Sequence, residues 1–348
     1  MLLAKLTRFN VFRISVGCAV LVVSLVVGPV HGHHSYYMYD LGGSVSLEGR
    51  LTEFDYKYPH GYITLEVPDE RGEVEVWEIE TVSPIELRDR GIAASALVVG
   101  DWIRIEGFPP RNTERRLVAG NVITKADGTE LIVGIFGPDI PGPAVAAVAT
   151  DLSGIWQTEA DFAQISFKKI LGAWPLTEIG RDALARFDGS QTPSVDCVPY
   201  APPSLFLQGH VASVEIGDTA VIIRTNYDDS DRIIYVDGRP HPESAEPTTQ
   251  GHSIGLWEDD ALMVDTIHFT EHLTGNALGV PAGLEKHLTE RFALSEDGTK
   301  IDYSYSIEDP EFLTGPVTGG SQWTYRPDVE PVRATCDLES ARRFLDAF

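Results

Sequence analysis

Cysteine and methionine are scarce, three of each in 348 residues, and basic side chains are outnumbered, 27 Lys and Arg against 52 Asp and Glu. The shortage of positive charge, net −25, argues against nucleic acid or an anionic lipid surface as a partner. Several signatures are missing. There is no Gly-x-Gly-x-x-Gly, no phosphate loop and no His-Glu-x-x-His, which argues against nucleotide-driven and zinc-protease chemistry. Gly251-His252-Ser253-Ile254-Gly255 matches Gly-x-Ser-x-Gly in letters, but it opens a strand rather than a strand-to-helix elbow, and neighbours on a strand point to opposite faces, so Ser253 beside His252 is not read as a nucleophile. No tandem repeat is present.

What is present begins with a targeting pattern. Lys5, Arg8 and Arg13 precede an apolar stretch from Ile14 to Val27, Gly28-Pro29 breaks it, and Val30 and Gly32 occupy the small-residue positions of a cleavage site. The stretch is shorter than the roughly 20 residues of a spanning helix. The pattern therefore predicts a signal peptide over 1–32, a mature chain starting at His33, and a periplasmic or secreted protein with no membrane span after cleavage. Cys197 and Cys336 survive that processing. In an oxidising compartment the pair predicts a disulfide, worth at most about 4–5 kcal/mol for so long a loop.

The length predicts two domains. Gly137-Pro138-Asp139-Ile140-Pro141-Gly142-Pro143 and the small apolar residues after it have linker composition, which sets a linker at 135–150. Before it, residues 33–134 read as strands at 45–56, 61–67 and 73–80. A short helix opened by Ser83-Pro84 and stopped by Gly91 follows, then strands at 102–108 and 117–124. Three strands, a helix and two strands is the order of an OB-type barrel. Its 18 acids against 10 bases over residues 33–133 argue against the oligonucleotides such barrels often bind.

After the linker, residues 151–348 read as one helix near 176–187 and many short strands, at about 211–216, 219–227, 231–236, 252–257, 260–268, 286–294, 299–307 and 320–326. Gly217-Asp218, Asp237-Gly238, Asp259-Asp260 and Asp297-Gly298 are read as hairpin turns. The expectation is an antiparallel barrel, and Gly154-Ile155-Trp156 resembles the opening of a lipocalin-like barrel. The fold class is thus mainly β, an OB-like barrel followed by a barrel-like domain.

Two resemblances follow from the motifs. His33-His34-Ser35, Tyr58-Pro59-His60, Ser83-Pro84 with Arg90-Gly91, and Gly100-Asp101 resemble the exported DUF6152 proteins. This chain has Tyr58 where the family more often has Asn, and Gly61-Tyr62 where it has Ala-Trp. The second half is similar to uncharacterised barrel-like bacterial proteins through the run Tyr235 to Pro242, Gly251-His252-Ser253-Ile254-Gly255, Asp265-Thr266 and Thr289-Glu290-Arg291-Phe292. Neither resemblance implies a chemistry.

The chemistry-bearing residues give two candidate sites. A processed N-terminus at His33 would offer an α-amine and an imidazole, and with His60 would make a three-nitrogen site of the kind copper favours, with His34 adjacent and Met38 as a soft axial donor. The alternative is a loose terminal His-His and a packed turn histidine. In the second domain, His287, Thr289 and Arg291 alternate with Leu288, Glu290 and Phe292 on one strand. If the first set faces inward, Arg291 and Thr289, with His252, would hold a ligand, Arg291 gripping a carboxylate. If the second set is the core, Glu290 is a buried acid that needs an arginine. Asp265, His268, His287 and Arg291 form a candidate proton-transfer cluster, against the alternative that Asp265 braces a loop. His241 with Glu243 offers a metal pair, but Pro240 and Pro242 on either side of His241 read first as a structural corner.

Three function classes remain: an exported binding protein holding a small molecule in the second barrel, with copper as an expected N-terminal ligand; a small-molecule isomerase, lyase or hydrolase without a nucleotide cofactor; and an envelope interaction protein with a protein partner of unknown kind.

Overall fold

The computed structural model describes residues 38–134, 147–159, 168–187, 191–225, 231–331, 335–343 and 345. The expected signal peptide, His33 and His34 lie outside the described residues, as do residues 135–146 of the expected linker.

Two closed β-barrels dominate. The first uses β1 (Val45–Asp55), β2 (Tyr62–Pro68), β3 (Val74–Glu80), β4 (Trp102–Phe108) and β5 (Leu117–Lys125), with β6 (Glu130–Ile132) added beside β5. β1 pairs with β2 and β4, β2 with β3, β4 with β5, and a parallel β3–β5 contact closes the ring. This is the OB order expected from the sequence. Between β3 and β4 the helix Pro84–Asp89 starts on a capping box, Ser83 receiving Glu86 N–H and Glu86 reaching back to Ser83 N–H. Gly91, at φ 78, ends it in a conformation that costs a glycine little. The core is aliphatic: Leu51, Ile63, Leu65, Ile79, Ile105 and Ile123 are fully buried, and β-branched residues on alternate positions fit a pleated surface well.

The second barrel has nine strands, β7 (Gly154–Thr158), β8 (Val211–Ile216), β9 (Ala220–Thr225), β10 (Asp231–Tyr235), β11 (His252–Glu258), β12 (Ala261–Ile267), β15 (His287–Leu294), β16 (Lys300–Glu308) and β17 (Val317–Tyr325). The hairpin β13 (His272–Ala277) and β14 (Val280–Ala282) leaves the ring between β12 and β15. Three of the four expected hairpin turns join antiparallel neighbours, at 217–218, 259–260 and 297–298. The fourth does not. β10 and β11 run parallel, so Asp237-Gly238 opens a long crossing loop over 236–251, because parallel neighbours cannot be joined by a tight turn.

The barrel centre is aromatic. Phe206, on the 3-10 turn Ser204–Leu207, packs against Trp323 at 5.1 Å, Tyr303 at 5.6 Å and Phe292 at 6.0 Å between ring centroids. Buried beside them, Arg232 pairs with Glu290, Tyr303 donates to Glu290 at 2.8 Å, and Arg232 donates to Thr266 at 3.0 Å. Burial pushes the Glu290 carboxyl up, Arg232 pulls it back, and Tyr303 is raised well above its usual range.

The chain end returns to the first barrel. Cys336 is bonded to Cys197, and the helix Leu338–Arg342 follows. Asp337 N–H donates to Tyr58 O at 2.9 Å, Ser340 Oγ to His60 O at 3.1 Å, and Arg343 Nε to Glu78 at 2.8 Å. The Arg343 guanidinium also lies 4.5 Å from the centre of the Tyr62 ring.

Candidate functional site

Strand alternation settles which side chains meet on the outer face of the second barrel. On β12, Leu262, Val264 and Thr266 are buried while Met263, Asp265 and Ile267 turn outward. On β15, Leu288, Glu290 and Phe292 are buried, and His287, Thr289 and Arg291 turn outward. The inward reading of Thr289, Arg291 and His287 is therefore corrected. Leu288 and Phe292 claim the interior because burying them removes the most apolar surface from water, and Glu290 goes in with them to meet Arg232.

Asp265 is the centre of the outer cluster. Its Oδ2 lies 2.6 Å from His287 Nε2 and its Oδ1 lies 2.8 Å from His241 Nε2. The other nitrogen of His241, Nδ1, lies 2.8 Å from His252 Nδ1. An ionised carboxylate only accepts, so both Nε2 atoms carry hydrogen and donate to Asp265. With His241 neutral, its Nδ1 holds a lone pair and accepts Nδ1–H from His252. The remaining nitrogen of His252, Nε2, then bears a lone pair at the end of the chain.

Each member arrives from a different element. His252 opens β11, Asp265 sits on β12 and His287 opens β15. His241 comes from the crossing loop, which is tied to the barrel. Thr248 N–H donates to His268 O at 3.1 Å and Thr270 N–H to Thr248 O at 2.9 Å. His268, held at φ 60, donates from Nε2 to Pro242 O at 3.0 Å. It therefore steadies the loop beside His241 and does not bond Asp265. Tyr235 stacks on His252, with centroids 5.3 Å apart, and the Arg239 guanidinium lies 4.0 Å from the centre of the Tyr235 ring while bonded to Asp237.

The electrostatics suit a neutral terminal imidazole. Partial burial lowers the His252 pKa, and the positive charge of Arg239 lowers it further. The site stays reachable, since the Asp265 and His287 side chains are 41% and 38% exposed. Among the described residues no three His, Cys, Asp or Glu side chains are arranged to hold a metal ion. The contacts are hydrogen bonds.

The first barrel treats its histidine differently. His60 is 4% exposed, with Nδ1 3.2 Å from Glu80 Oε1. Burial pushes its pKa down to about 4, opposed by a hydrogen bond with Thr81 backbone. Met38 is buried in the first barrel's core. The expected copper partners of His60, His33 and His34, lie outside the described residues.

Sequence reasoning brought Asp265, His287 and His252 into the candidate sites, and weighed His241 with Glu243 for metal but read it first as a corner between prolines. The corner is real, and it is what aims the ring. The only available signal was the length of the stretch between the strands at 231–236 and 252–257, longer than a tight turn needs.

Residues 21–119 match the model of a family of unknown function, DUF6152. That stretch takes in four of the five strands that close the first barrel and the start of the fifth. No curated protein matches the chain.

Proposed function

We propose that this is an exported acid–base enzyme that moves a proton on a small molecule at the outer face of the second barrel, with His252 as the base. The observation that carries the reading is the chain Asp265–His241–His252. A carboxylate hydrogen-bonded to one imidazole, itself bonded to a second, fixes both tautomers and stabilises the imidazolium that forms when the terminal nitrogen takes a proton. The His252 imidazolium so formed returns the proton, while His287 holds the other oxygen of Asp265 at 2.6 Å and keeps the carboxylate in place. A positioned base of this kind contributes about 10²–10⁴-fold to rate. The disulfide supports export, and the aromatic packing around Phe206 favours an outer site over a ligand held at the barrel centre.

The test is histidine NMR followed by kinetics. In the free protein His252 is expected as the Nδ1–H tautomer, titrating below 6.5, and Asp265→Asn should change the tautomer balance of both His241 and His252. In D2O the protein should promote deuterium incorporation into an activated C–H of a small-molecule panel. That exchange should fall on the acid side only below pH 6.5 and drop at least about 100-fold in His252→Gln. A His252 that titrates normally and ignores Asp265→Asn would sink the relay.

A further inference from the structure

The cross-strand register puts a cation and an apolar strip beside the relay. Leu256, Met263 and Arg291 stand directly opposite one another on β11, β12 and β15, and Ile254, Asp265 and Thr289 form the neighbouring row. Arg291 is thus a diagonal neighbour of Asp265, about 7–8 Å away across the sheet. Leu256 is 65% exposed, and Met263 and Ile254 are half-buried.

Arginines carry many of the carboxylate pairs on this acidic protein. Arg50, Arg104, Arg116, Arg224 and Arg239 each hold a carboxylate. Arg291 is exposed and holds none among the described residues. Asp302, the acid nearest in register across β16, accepts a hydrogen bond from Gln322 at 2.7 Å. An arginine left open in so negative a chain, diagonal to Asp265 and beside an apolar strip, is a receptor for an anion with a hydrocarbon part.

We propose that the substrate is an amphipathic carboxylate, its carboxylate held by Arg291 and its apolar chain laid over Met263 and Leu256 in the row beside Asp265. This rests on the proposed acid–base function for the meaning of "substrate", but the binding site stands on its own geometry. The fork of Arg291 matches two carboxylate oxygens, which an alcohol cannot supply. A short carboxylate would reach Arg291 and leave the strip uncovered.

The experiment uses the mature, disulfide-bonded chain and follows the imidazole signals of His252 and His287 on titration with hexanoate, acetate and hexanol. Hexanoate is expected to shift both signals saturably, acetate to bind at least about fivefold more weakly for want of its apolar chain, and hexanol to leave them unmoved. Arg291→Gln should weaken hexanoate at least about tenfold. Leu256→Ser should weaken hexanoate and leave acetate unchanged. Both positions are exposed, so neither variant threatens folding. Equal binding of hexanol and hexanoate, equal binding of acetate and hexanoate, or indifference to Arg291→Gln would each overturn the proposal. His252→Gln separates this from the function itself. Loss of exchange chemistry with hexanoate binding retained supports both, whereas a normal His252 titration with Arg291-dependent binding retires the relay and keeps the site.

Discussion

Lys286 is 1% exposed, one residue before His287, and its Nζ donates to Pro202 O at 2.8 Å and Gly275 O at 2.6 Å. Burial lowers its pKa from 10.5 to about 7, against the pull of Asp309 and Glu290. Two donated hydrogens suit a neutral amine, so the residue acts as a tie between the turn after Pro202 and the hairpin β13–β14. The sign of its pH effect follows. Between pH 7 and 10.5 the unfolded chain holds a proton on this lysine that the folded chain has released, so stability rises with pH across that window. The rise is on the order of 4–5 kcal/mol, and below pH 7 the full cost of burying the charge is constant. Urea midpoints at pH 7 and pH 10 should therefore differ, and Lys286→Met should remove most of the difference. A wild-type midpoint no more pH-dependent than the variant's would refute this account.

At the scale of elements, β15 carries two chemistries on its two faces. Its outer row offers His287, Thr289 and Arg291 to solvent, while its inner row sets Glu290 among aromatic rings, paired with Arg232 on β10. The pair crosses the barrel interior and fixes register, since a slip of one residue would put Glu290 outside and Arg291 inside. Removing one partner leaves the other charge buried. Arg232→Met should thus cost about 3–5 kcal/mol in urea unfolding, and adding Glu290→Leu should recover most of that loss. If the single and double variants were equally unstable, the cost would come from packing rather than charge. The alternation of β15 was plain in the sequence. Which face was inside was not, because both rows mix polar and apolar character until their neighbours are known.

For the whole molecule, the covalent tie between Cys197 and Cys336 closes a separation of 139 residues, and the segment after it reaches the first barrel through Asp337, Ser340 and Arg343. The second barrel's sequence therefore helps to cover the first. Val195, just before Cys197, is buried with the first barrel's core residues. Replacing both cysteines by serine should lower stability by up to about 4–5 kcal/mol through the longer unfolded chain. It should also make the segment around residue 336 a preferred site of limited proteolysis. An unchanged urea midpoint together with an unchanged digestion pattern would mean that the noncovalent contacts alone hold the clasp.

The sequence by itself determined what depends on local pattern: the strands, the capped helix, the order of the first barrel and the pairing of Cys197 with Cys336 in an acidic chain. Period-two alternation and turn residues act over a few positions, so they can be read without knowing what lies opposite. Tertiary structure alone decided what depends on partners distant in the chain. It made β10 and β11 parallel, turned Asp237-Gly238 from a hairpin into the start of a crossing loop, and so delivered His241 to Asp265. It buried His60 beside Glu80 and chose the outer face for Arg291. The physical reason is common to all of these. A side chain's role in a barrel is set by which strands neighbour it across the sheet, and that is a property of closure, which no local window of residues contains.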